Sequence, residues 1–135
     1  MKEHNHYIIN LVEIQRLKEA LINNENMCFS LIFGSYAKGN PSINSDIDLG
    51  VYYYKPPEGL EILDFINTLS DYAQKKVDLT ILNKASAFLR HQVMLNCIRL
   101  FIHDPVMYRK FREQTITDFL IYKYISNIYY FDKEL

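Results

Sequence analysis

Residues 46–54 read DIDLGVYYY, and they put two carboxylates into a segment whose other residues describe a buried strand. Ile47, Leu49 and Val51 alternate with Asp46, Asp48 and Gly50. A period of two sends the apolar set to one face and both aspartates to the other. At a rise of about 3.3–3.4 Å per residue the two carboxylates stand roughly 7 Å apart, and side-chain rotation can bring their oxygens onto one cation. At about 4 Å two such charges repel by roughly 4 kcal/mol at an effective dielectric near 20, so without a cation one of them tends to take up a proton. Asp78 repeats the anomaly in KVDLTIL, where Val77, Leu79 and Ile81 alternate with Asp78 and Thr80. Mg2+ prefers carboxylate oxygens combined with substrate phosphates. Three carboxylates on neighbouring strands can hold two such ions about 3.5–4 Å apart for in-line attack on phosphorus.

The rest of the chain alternates helical and extended periods. Ile8 to Asn24 has helical spacing, MCFSLIF at 27–33 reads as a buried strand, and residues 34–45, rich in Gly, Ser and Pro, read as a loop. KPPEG at 55–59 ends the second strand, Leu60 to Ala73 returns to a helical period, and VDLTIL at 77–82 is a third strand. NKASAFLRHQVMLNC is helical with Asn83 or Ser86 as its cap, IRLFIHDP holds a fourth strand, and a long helix runs from about Val106 to about Phe131. This order predicts an α/β or α+β fold, a small mixed sheet flanked by helices, within a single domain spanning residues 1–135.

Gly34-Ser35, at the end of the first strand, complements the carboxylates. A glycine there lets the backbone approach a phosphate closely, and the following N–H groups and the serine hydroxyl can donate to its oxygens. A helix starting near Ser35 would add a favourable dipole. Lys38 can add positive charge nearby.

These residues carry a resemblance. GSYAKGNPSINSDIDLGV, with ten residues between Ser35 and Asp46, together with VDLTILNKAS, resembles the signature of the DNA polymerase β-like nucleotidyltransferase superfamily. More narrowly, GSYAKG, SDIDLGV and VDLTILN are similar to the minimal nucleotidyltransferases of the MntA type, adenylyltransferase antitoxins paired with HEPN-domain toxins. The motifs span residues 31–83. The resemblance implies that Gly34 and Ser35 bind the triphosphate of ATP, with Lys38 near it. It implies that Asp46 and Asp48 ligate Mg2+, with Mn2+ able to substitute, and that Asp78 completes the site and helps deprotonate the attacking hydroxyl. It further implies transfer of AMP to a tyrosine of a HEPN ribonuclease toxin, which silences that toxin.

Two other functions fit the same residues. One is transfer to a small acceptor such as an aminoglycoside, although about fifty residues after the third aspartate strand leave no room for the helical domain such enzymes add. The other is a binding module that occludes a toxin sterically. A net charge of −1 offers no basic surface for stable nucleic-acid binding. No apolar run approaches a membrane span and the polar N-terminus is no signal peptide, so the cytoplasm is the expected compartment. Cys28 and Cys97 are expected as reduced, buried thiols. His4, His6, His91 and His103 show no ligand spacing, and HNH at 4–6 lacks the context of a nuclease. Lys75-Lys76 reads as a solvated loop, and Arg90 and Arg99 as salt-bridged surface residues. Asp118 to Phe131 carries more apolar and aromatic residues than one stripe needs. Either a toxin or a second copy docks on it, or the helix is sandwiched inside the fold.

Overall fold

The computed structural model describes residues 7–134, with side chains through residue 130. His4 and His6 lie outside the described residues, as does the side chain of Phe131. Helix α1 is Val12–Leu21, with Ile14, Leu17 and Leu21 buried at helical spacing. It is shorter than the predicted Ile8–Asn24 because Leu11 is extended (φ −62°, ψ 142°) and breaks the helix from a preceding turn. The Gln15 side-chain amide donates to the Ile9 carbonyl across that break.

Strand β1, Met27–Phe33, is buried along nearly its whole length. It runs into α2, Gly34–Lys38, the short helix considered near Ser35 within a segment that otherwise reads as loop. Two glycines make this turn possible. Gly34 starts it at φ +69° and Gly39 closes it at φ +84°, a conformation that L side chains rarely adopt. Strand β2 is Ile47–Tyr53, followed by α3, Leu60–Ala73, and β3, Val77–Ile81. Asp46 and Tyr54, predicted inside the second strand, flank it.

Leu82–Lys84 is a 3-10 turn rather than the end of β3. Asn83 does not cap a helix. Its amide pairs with the backbone of Tyr53, accepting at 2.9 Å and donating at 2.8 Å. Ser86 is the cap of α4, Ala87–Leu95, and accepts from the Leu89 N–H at 3.1 Å. Strand β4 is Ile98–Ile102. Asp104 then accepts from the Met107 N–H at 2.9 Å and Pro105 occupies the first position of α5, Pro105–Glu134.

The sheet order is β3-β2-β1-β4. β1 pairs antiparallel with β2 and β4, and β2 pairs parallel with β3, so the sheet is mixed as predicted. Its two faces hold separate cores. Ile47, Leu49, Val51 and Val77 pack against Ile14 and Leu17 of α1 and Leu69 and Ala73 of α3. Phe29, Leu31 and Leu82 pack against Val93 of α4 and Tyr108 and Phe111 of α5. Period two therefore places Asp48, Gly50 and Tyr52 on the α4–α5 side. No helix among the described residues is long and apolar enough to cross a membrane.

The distal part of α5 is not sandwiched within the fold. Leu120, Ile121, Tyr122, Tyr124, Ile125, Ile128 and Tyr130 are exposed. The internal-burial reading of this helix fails for a geometric reason: thirty residues at about 1.5 Å each outrun a sheet of five- to seven-residue strands.

Candidate active site

The site is assembled from the C-terminal end of β1 and the first residues of β2 and β3. Asp48 lies in register with Phe33 of β1 on one side and with Asp78 of β3 on the other. It thus stands between the residue preceding Gly34 and a second carboxylate. Gly34 forms the wall against which Asp48 packs. A Cβ at residue 34 would lie 2.0 Å from Asp48 Oδ2 and 2.9 Å from its Cγ. No side chain fits there without moving the carboxylate.

The aspartates sense one another. The Asp48 carboxyl is pushed above its ordinary range, first by burial, then by the charge of Asp78 and then by that of Asp46. Asp48 is half-buried, Asp46 half-buried and Asp78 exposed, so the group opens toward solvent. Among the described residues, no three His, Cys, Asp or Glu side chains converge into a group able to hold a metal ion. The expected three-carboxylate set is therefore neighbouring and coupled but not closed. Asp46 sits one residue before β2 and its Oδ2 is 3.7 Å from Lys76 Nζ.

Lys76 is a neighbour of the aspartates that the sequence reading did not place there. Its carbonyl also accepts from the Ile47 N–H at 2.9 Å, fixing the parallel start of β2 and β3. Lys75 holds the opposite side of the same loop, donating to the Ser42 carbonyl at 3.2 Å and standing 5.2 Å over the Tyr36 ring. A doublet of lysines in sequence carries no sign of these partners, which lie far away in the chain. Ser35 is half-buried at the start of α2, and Lys38 is exposed at its end and forms no ion pair with the three aspartates.

Other expectations sort as follows. Arg90 is salt-bridged, to Asp118 at 2.8 Å, whereas Arg99 lies over the Tyr108 ring at 5.2 Å. His91 stacks on Phe119 at 3.6 Å, and His103 bonds the Ile22 carbonyl at 2.7 Å. Cys28 is buried and Cys97 half-buried, both as free thiols raised by burial. A cleft of about 590 Å3 opens between the sheet and α4–α5, lined by Tyr52, Leu82, Arg90 and Phe111 among others. It contains none of the aspartates, because Leu82 lies over Gly50, between Asp48 and Tyr52 along β2.

A glycine-walled carboxylate on a central strand of a mixed sheet, in register with a second on the neighbouring edge strand, places the fold among those built for phosphoryl or nucleotidyl transfer. The chain belongs to the polymerase β nucleotidyltransferase family, whose model matches residues 15–106. It is 44% identical over 52 residues to a Methanocaldococcus jannaschii protein assigned provisionally as a protein adenylyltransferase, a match covering 38% of this chain and 53% of that one. The chain thus spans about half the length of that curated relative. Among solved structures it resembles a toxin–antitoxin complex with AMP-PNP, with a TM-score of 0.75, 23% identity, and coverage of 91% of this chain and 97% of that one. A tri-AMPylated Shewanella oneidensis HEPN toxin in complex with MNT antitoxin matches with a TM-score of 0.71 and 21% identity, over 90% of this chain and 98% of that one. At these identities the structural likeness is one of fold.

Proposed function

We propose that this chain is a cytoplasmic antitoxin that moves AMP from ATP to a tyrosine hydroxyl of a HEPN ribonuclease toxin, and so silences it. All of this takes place within one minimal nucleotidyltransferase domain. The seat of Asp48 carries the reading: a carboxylate packed on a left-handed glycine at the end of β1, in register with a second carboxylate and coupled to a third. The provisional adenylyltransferase assignment of the curated relative supports the reaction, and the AMPylated toxin in the structural neighbour supports the acceptor.

In this reading Gly34 leaves room for the triphosphate and Ser35 donates to its oxygens. The phenolic oxygen forms a bond to the α-phosphorus, the bond to pyrophosphate breaks, and the phenolic proton passes to Asp78. Asp46 and Asp48, with Asp78, would hold Mg2+, for which Mn2+ would substitute. Mg2+ generally combines protein carboxylates with substrate phosphates, so aspartates that neighbour one another without closing into a cage would suffice. Bound metal supplies Lewis-acid stabilisation of charge on the attacking and leaving oxygens. Lys38 and Lys76 lend positive charge at the rim.

The test is Asp48→Asn, with toxin modification and toxin inhibition measured side by side. The reading requires both to fall. A variant that transfers no AMP yet still protects would assign the chain to steric neutralisation, which the exposed distal α5 favours as a second contribution.

A further inference from the structure

We propose that the distal half of α5 seats in an apolar groove between two helices of the protein this chain modifies, an inference that rests on the function proposed above. Leu120 is 60% exposed, Ile121 53%, Tyr124 68%, Ile125 58% and Ile128 44%. At about 100° per residue, Leu120, Tyr124, Ile128, Ile121, Ile125 and Tyr122 fill a continuous arc of roughly 200° around the helix. The remaining arc holds Lys123, Ser126 and Asn127 among its residues.

The breadth of that arc selects the occupant. One helix packing on another covers a stripe of about 100°, so a single helix donated by a second copy leaves half the apolar surface wet. A groove between two helices embraces both edges at once. A lipid surface suits a helix whose polar face is dense in Lys and Arg, and here that arc carries Lys123 alone between Phe119 and Tyr130. The two tyrosines, at about 150–250 Å2 each and roughly half exposed, supply on the order of 200 Å2 of this surface, and the four aliphatic side chains extend it toward one side of a standard interface. Tyr122 and Tyr124 further require hydrogen-bond acceptors at the groove's rim. The patch continues onto α4 through Phe88, whose ring is 6.1 Å from Tyr122.

Leu120→Lys, at one edge of the arc, and Ile125→Lys, about 140° round the helix from it, test this. Both sites are exposed and Lys is a good helix former, so melting and ATP turnover without toxin should not change. Calorimetric titration with the HEPN toxin should show each variant binding at least about 30-fold more weakly, the level of an interface hot spot. Weakening by only one variant overturns the groove in favour of a single-stripe contact. Full binding by both, with wild type also binding, overturns this surface and leaves the proposed function intact. A wild type that neither binds nor modifies the toxin overturns the function and this inference with it. Light scattering that finds a dimer of the free chain, dispersed by both substitutions, assigns the face to a second copy instead. Amide exchange on wild type needs no substitution: residues 119–130 should slow when toxin is added, and unchanged exchange overturns the proposal.

Discussion

Gly34→Ala isolates the contact on which the site is built. Alanine at φ +69° costs about 1–2 kcal/mol in backbone strain. Its Cβ would meet Asp48 Oδ2 at 2.0 Å and Cγ at 2.9 Å, so the carboxylate must rotate away. Rotation off a staggered well costs about 0.5–1.5 kcal/mol. It also cannot relieve the 3.2 Å approach to the Cβ of Asp48, which no side-chain rotation moves. The sum is about 1.5–3.5 kcal/mol, or a fall of roughly 10 °C in melting temperature for a chain of this length. AMP transfer should fall at least about a hundredfold, since the displaced carboxylate no longer faces the phosphate. The assay is a double-mutant cycle with Asp48→Ala, read by thermal melting, with transfer followed by mass spectrometry. Removing the carboxylate removes the clash but leaves the backbone strain, so alanine at residue 34 should cost about 1 kcal/mol less in that background. An equal cost in both backgrounds, or near wild-type transfer by Gly34→Ala, would refute the reasoning.

Asp48→Asn should abolish transfer yet raise the melting temperature near pH 7 in the absence of metal. The folded carboxyl titrates above its unfolded value, so ionised Asp48 opposes folding at neutral pH. That penalty fades as pH falls through the folded value toward the unfolded one near 3.9, so the gain should vanish in acid, and a destabilised variant at pH 7 contradicts it. Ser86→Ala should cost about 1 kcal/mol of stability through loss of the α4 cap while leaving ATP affinity unchanged; an unchanged melting temperature would count against that cap. Ser35→Ala should weaken ATP binding by the worth of one hydrogen bond to a charged group, about 1.5–3 kcal/mol at most, and equal affinity by calorimetry would remove Ser35 from the phosphate site.

The aspartates were legible because charge in an alternating apolar strand is expensive, and the cost points to function before any fold is known. Strand pairing then brought Asp48 and Asp78 into register, as neighbouring strands were expected to do. Helix α2 was legible only as a conditional start near Ser35: the four residues between Gly34 and Gly39 lie in a stretch with the composition of a loop, and the positive φ of the two glycines reveals the turn. Of the two expected caps, Asn83 and Ser86, the structure takes Ser86, and the sequence could not choose between them for a related reason. The local context of Asn83 suits a cap, while its actual partner is the backbone of Tyr53, thirty residues earlier. Lys76 could not be assigned without knowing that β3 lies parallel beside β2, which sets its ammonium near Asp46. For α5 the aromatic excess was plain, but whether it faced inward or outward depended on how far the helix outran the sheet.

The most direct test of the account is the intact mass of the HEPN toxin after incubation with this chain, ATP and Mg2+. The account predicts a gain of whole AMP units with wild type and none with Asp46→Asn, with Asp48→Asn or in excess chelator. An unmodified toxin in the wild-type reaction, or undiminished modification by either variant or in chelator, would contradict it.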